Sequence, residues 1–120
     1  MTAPDELLQV CDQIPGLLRG AVVLVPEGIV VAHFGTARES DVDPLVRATM
    51  RCVKSPGNVV EYTLVSTESI LVIELVHATT RFALAAECAH GANLALVMTA
   101  TRHAAAAFEG SFDFTAWESA

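Results

Sequence analysis

The sequence predicts an α/β (α+β) domain in which one antiparallel sheet is covered by helices on both faces, and three observations carry that prediction. First, strand-like runs at residues 59–66, 70–77 and 81–87 are separated only by Thr67-Glu68-Ser69 and Ala78-Thr79-Thr80, whereas a parallel return needs a dozen or more residues. Second, the run from Ile70 to Val76 is apolar at every position but Glu74, the pattern of a strand buried on both sides. Third, segments of helical period precede, interrupt and follow the strands, giving the order α-β-β-α-β-β-β-α.

Each element has local causes. Pro4-Asp5-Glu6 opens a helix, with proline in the first turn and carboxylates at the positive end of the dipole. Leu7, Leu8, Cys11 and Ile14 recur at helical spacing until Pro15-Gly16 stops it. Residues 19–25 and 29–34 form a hairpin about Pro26-Glu27-Gly28. After a loop at 35–40, Ser40 is placed to cap a second helix, with Asp41, Asp43 and Pro44 in its first turn. Val42, Leu45, Val46, Thr49, Met50 and Val53 fall on one stripe of that helix, and Arg47, Arg51 and Lys54 on another, at i, i+4, i+7. Ser55-Pro56-Gly57-Asn58 ends it. The last helix spans about residues 91–109, with Leu94, Val97, Met98, Thr101, Ala105 and Phe108 toward the core and an alanine run at 104–107. Residues 1–109 thus form one domain, followed by an acidic, aromatic tail at 110–120.

Composition excludes several classes of function. A formal charge of −7 makes a polyanion such as DNA a poor partner. Although 52% of residues are hydrophobic, no run approaches the roughly 20 apolar residues of a spanning helix. The acidic N-terminus is unlike a signal peptide, so a cytoplasmic protein without membrane insertion is expected. Cys11, Cys52 and Cys88 are odd in number and widely spaced, which suggests reduced packing residues rather than disulfides or a zinc knuckle. The glycines form no phosphate-binding loop, and His33, His77, His90 and His103 form no i, i+3 or i, i+4 pair. Neither a cofactor nor a metal is expected.

Catalytic chemistry has one foothold, Cys88-Ala89-His90, since a thiolate needs a base or a helix N-terminus beside it. No third, orienting group is identifiable. The preferred reading is a buried cysteine closing a strand and a histidine capping the next helix, with Glu87 a solvated strand-end charge, so no catalytic residue is assigned. Ser66-Thr67-Glu68-Ser69 suits a hairpin turn. Glu74, alone in its apolar strand, must be paired or neutralised if buried. The stripe of Arg47, Arg51 and Lys54 is either a solvated face or a positive patch for an acidic protein partner.

Taken together, several segments resemble the roadblock / dynein light chain family. They are Ile14-Pro15-Gly16-Leu17-Leu18-Arg19-Gly20-Ala21-Val22-Val23 after the first helix, the turn Pro26-Glu27-Gly28-Ile29-Val30-Val31, the strands Glu61-Tyr62-Thr63-Leu64-Val65-Ser66 and Leu71-Val72-Ile73, and Gly91-Ala92-Asn93-Leu94-Ala95-Leu96-Val97 at the last helix. The resemblance covers roughly residues 5–109 in the right order. It implies a five-stranded antiparallel sheet with the first and last helices on one face and the middle helix on the other. It also implies homodimers joined through the third strand and the middle helix, here through Val59, Glu61, Thr63, Val65 and Met50, with Glu61 as the guard of an otherwise sticky edge. The family's commonest role implies a non-catalytic regulator or scaffold for a Ras-like small GTPase, with Arg47, Arg51 and Lys54 as the partner-binding residues. The alternatives are a small-ligand sensor and, third, a minor cysteine-dependent enzyme.

Overall fold

The computed structural model describes residues 5–25, 27–35, 39–54, 61–75 and 82–111. In chain order these form α1 (Asp5–Asp12), β1 (Leu17–Leu24), β2 (Ile29–Gly35), a 3-10 turn (Glu39–Val42), α2 (Asp43–Val53), β3 (Glu61–Val65), β4 (Ser69–Leu75), β5 (Phe82–Ala89) and α3 (Leu94–Ser111). The strands make one antiparallel sheet in the order β2-β1-β5-β4-β3. The expected fold class and element order are both present.

Alternation along the strands divides the core in two. Val22 and Leu24 of β1, Ile70 and Val72 of β4, and Phe82, Leu84, Ala86 and Cys88 of β5 pack with α1 and α3. Ala21, Val23, Ile73, Ala83 and Ala85 face the other way, beneath Leu45 and Cys52 of α2. Phe82 and Phe108 are fully buried on the two-helix face. β5 holds the middle of the sheet, between β1 and β4, and is buried at every position from Phe82 to Ala86. Its alanines leave room for helices on both sides.

Boundaries differ from the sequence reading where capping was inferred. Ser40 does not start α2; residues 39–42 form the 3-10 turn, the N-cap is Val42 without a side-chain bond, and proline lies in the first helical turn. His90 does not cap α3 either. Asn93 does, its Oδ1 accepting from Leu96 N at 3.2 Å, as an asparagine at N-cap is suited to do. α1 ends at Asp12, short of the expected stop at Pro15-Gly16; Gly16, at φ +67°, closes the turn that follows, and its carbonyl accepts from Ala89 N at 2.8 Å. The register of β1 against β5 slips between Leu17 and Arg19, a bulge that leaves Leu18 exposed. The expected turn residue Pro26, Val59 and Val60 of the third strand, residues 55–58 and 76–81, and the tail from 112 lie outside the described residues.

One close approach fixes the β1–β2 hairpin. Gly20 stands opposite Phe34, and a Cβ at Gly20 would lie 2.1 Å from the Phe34 ring. Gly20→Ala is therefore expected to displace a buried aromatic and destabilise the fold by about 1–3 kcal/mol, read as a lower urea midpoint with an unchanged slope.

Candidate functional site

β3 is the structural centre of the candidate site, because it hydrogen-bonds to β4 on one side and forms the edge of the sheet on the other. Its residues alternate between two environments. Tyr62 and Leu64 lie on the α2 face, where with Leu71 and Ile73 of the sheet and Ala48, Arg51 and Cys52 of α2 they line an open groove. Tyr62 is 41% and Leu64 52% exposed, a large apolar surface for a strand edge. Glu61 and Thr63 lie on the opposite face, toward α3.

The basic stripe borders this groove. Arg51 lines it, and Arg47 and Lys54, at i−4 and i+3, occupy the same flank of α2; all three are exposed. Met50 sits on another flank, beside the β1–β2 turn at Gly28. The structure therefore brings Arg51 to β3 but not Met50. The other two described basic residues are engaged elsewhere. Arg19 Nε donates to Glu87 Oε1 and its Nη1 to the Asp41 carbonyl, each at 2.5 Å. This ties the 3-10 turn to the sheet. Glu87, expected to be a solvated strand-end charge, is instead half-buried and also accepts from Ser69 Oγ at 2.9 Å.

Behind the edge lies a cluster that no motif announced. Glu61 and Glu74 are directly opposed across β3 and β4. Arg102 of α3 donates to Glu61 through Nε at 2.5 Å and Nη2 at 2.8 Å, a bidentate, charge-assisted pair, and its Nε lies 3.9 Å from Glu74 Oε1. Glu61 is thus not the outward guard that was expected; it is clamped under α3. Glu74 is 8% exposed. Burial, then the hydrogen bond to Glu61 and its negative charge, push the Glu74 carboxyl up to about 8. The Arg102 bonds, aided by the proton that Glu74 carries, hold Glu61 down at about 2. One proton thus serves two carboxyls at neutral pH. The Thr63 hydroxyl and Glu74 Oε1 are buried without a hydrogen-bond partner.

The Cys88-Ala89-His90 segment is not a reactive centre in this geometry. Cys88 is fully buried among the side chains under α1 and α3, and burial, with Glu87 beside it, pushes its thiol up to about 11. His90 is exposed in the following turn. Cys11 is likewise buried and raised to about 12, by burial and then by Asp12. No group of three metal-ligating side chains is found among the described residues, and no described helix is long and apolar enough to cross a membrane.

No protein-family model and no curated protein matches the sequence. Solved structures do. The chain superimposes on Myxococcus xanthus MglB with a TM-score of 0.74 at 17% identity, over 89% of this chain and 94% of that one. A second MglB structure, described as having a tetrameric arrangement, matches at 0.72 and 15% identity over 88% and 85% of the two chains. The Roadblock/LC7 domain from Streptomyces avermitilis matches at 0.59 and 14% over 88% and 91%. This is a roadblock-type fold. The sequence resemblance stated above and the three-dimensional likeness agree on that.

The thiols offer a direct check of the inert-cysteine assignment. An aromatic disulfide reagent is expected to leave all three cysteines unlabelled in the native protein at pH 7.5, label all three in urea, and react no differently when His90 is replaced by alanine.

Proposed function

We propose that this protein is a non-catalytic, homodimeric regulator or scaffold that binds a Ras-like small GTPase in the cytoplasm, in an activating or adaptor role. The observation that carries the proposal is the outer edge of β3, which pairs with no strand among the described residues, beside an apolar groove rimmed by Arg51. An edge of this kind, with two large apolar side chains exposed next to it, is unstable toward pairing with another strand. A second copy joined antiparallel to β3 satisfies the edge and brings two sets of Tyr62 and Leu64 together. The described part of the joining strand is Glu61, Thr63 and Val65 with Tyr62 and Leu64 between them; Val59 would extend it. Met50, on the far flank of α2, takes a lesser part.

The same symmetry doubles the basic stripe. Arg47, Arg51 and Lys54 from two copies make a positive surface on a chain of net charge −7, which suits an acidic partner and acts mainly on encounter rate and orientation. The small-ligand reading is less well supported. The groove holds about 110 Å³, against roughly 300–1,000 Å³ for typical ligand pockets. The roadblock-type fold adds support for the regulator reading through the role that family most often has.

Two measurements test the proposal. Leu64→Asp places like charges across the seam and is expected to weaken self-association at least about tenfold, seen by sedimentation with the circular dichroism unchanged; an equally tight dimer removes β3 as the seam. Separately, Arg47→Glu with Arg51→Glu is expected to weaken binding of a Ras-like GTPase from the same genome at least tenfold, about 1.4 kcal/mol, with the difference shrinking as salt rises. Unchanged affinity in a folded dimer would make the stripe a solvated face.

A further inference from the structure

β3 is held to the molecule by its ladder to β4 and, on the α3 face, by the contact of Glu61 with Glu74 and Arg102. That contact is unusual chemically. Two carboxyl groups meet across adjacent strands, one of them nine-tenths buried, and a single guanidinium serves both. Two ionised carboxylates in that position repel, and like charges directly opposite each other in a sheet are destabilising. Arg102 cannot neutralise both, because its two short bonds go to Glu61 and its approach to Glu74 is 3.9 Å. Among the described residues, the charged groups that act on Glu74 are Glu61 from β3 and Arg102 from α3. On its other side β5 presents apolar Leu84, and α1, which shares this face, directs Asp12 away to Gly35 N.

We propose that the Glu61–Glu74 pair is a proton-operated latch on the edge strand: while the two carboxyls share one proton, β3 stays seated on β4 and offers its outer edge, and when that proton passes to solvent base the strand loosens and self-association weakens. The inference rests on the reading of β3 as the dimer seam. It gives that seam a regulator, intracellular pH, acting from inside the protomer.

The direction follows from linkage. The folded chain keeps a proton on Glu74 that the unfolded chain, with an ordinary carboxylate, loses near pH 4.5. Stability of the seated strand therefore declines as pH rises from that range and is lowest once Glu74 ionises, near pH 8. Glu61 works at the other end of the scale. Its stabilising charge is lost only as pH falls from the ordinary carboxylate range toward 2, outside the window of interest.

The test follows dimer dissociation by sedimentation, and amide exchange at Glu61–Val65 relative to Phe82–Ala89, between pH 6.5 and 9. In the wild type the dissociation constant is expected to rise at least roughly tenfold and the relative exchange of β3 to rise with it. Glu74→Gln, a neutral isostere able to donate to Glu61, is expected to abolish both changes. Glu61→Gln should do the same, because Arg102 then pairs with an ionised Glu74 alone. A wild type that is flat across this range, or a Glu74→Gln variant with the wild-type pH dependence, overturns the latch. A chain that is monomeric throughout while β3 exchange follows pH as described overturns the seam and supports the latch.

Discussion

The whole arrangement depends on the middle of the sheet being covered from both sides by helices that can approach closely. β5 makes that possible. Ala83 and Ala85 lie beneath α2 while Phe82, Leu84, Ala86 and Cys88 fill the layer under α1 and α3, so one strand serves two cores with small residues on one side and larger ones on the other. Close packing of this kind resists change in volume. It also fixes where α2 stands. With α2 over β1 and β5, β3 at the edge of the sheet receives only partial cover, and Tyr62 and Leu64 are left exposed. The groove is thus a consequence of how the core is packed, and so is the position of the basic stripe beside it.

Much of this was readable from residue order. The three-residue links forced antiparallel neighbours, the apolar run from Ile70 implied helices on both faces, and the i, i+4, i+7 spacing put Arg47, Arg51 and Lys54 on one flank of α2. The strand order was not readable in the same way, because β5 is rich in alanine, a residue with weak strand preference, whereas the β-branched run of β4 looks more like a central strand. Only tertiary packing reverses that order. The helix starts were misread for a similar reason. Ser40 and His90 have the right chemistry for caps, but Pro44 and Asn93 decide where regular helix begins.

The carboxyl pair lay half in view. Glu74 stood out as the single charge of an apolar run, and the turn at Ser66–Ser69, closed by Ser66 N to Ser69 O at 2.9 Å, sets a register from which Glu61 falls opposite it by counting. Arg102 could not be found this way. It lies 41 residues from Glu61, and only the path of α3 across β4 brings the two together. Periodicity assigned Arg102 to no stripe, because a residue at the rim of a helix reads as solvated until its neighbour is known.

Magnitudes explain why so small a cluster can govern an edge. β3 and β4 pair over five residue positions, and a backbone hydrogen bond contributes about 0.5–1.5 kcal/mol net, so the ladder holds the strand by only a few kcal/mol. Leaving a buried charge without its partner costs on the order of 3–5 kcal/mol. The two quantities are of the same size, which is not so for β1 or β5, flanked by partner strands on both sides. A charge change beneath a central strand would be absorbed by neighbouring ladders. Beneath β3 it competes directly with the bonds that present the edge, so the strand that exposes Tyr62, Leu64 and Val65 is also the one on which the proposed latch would act.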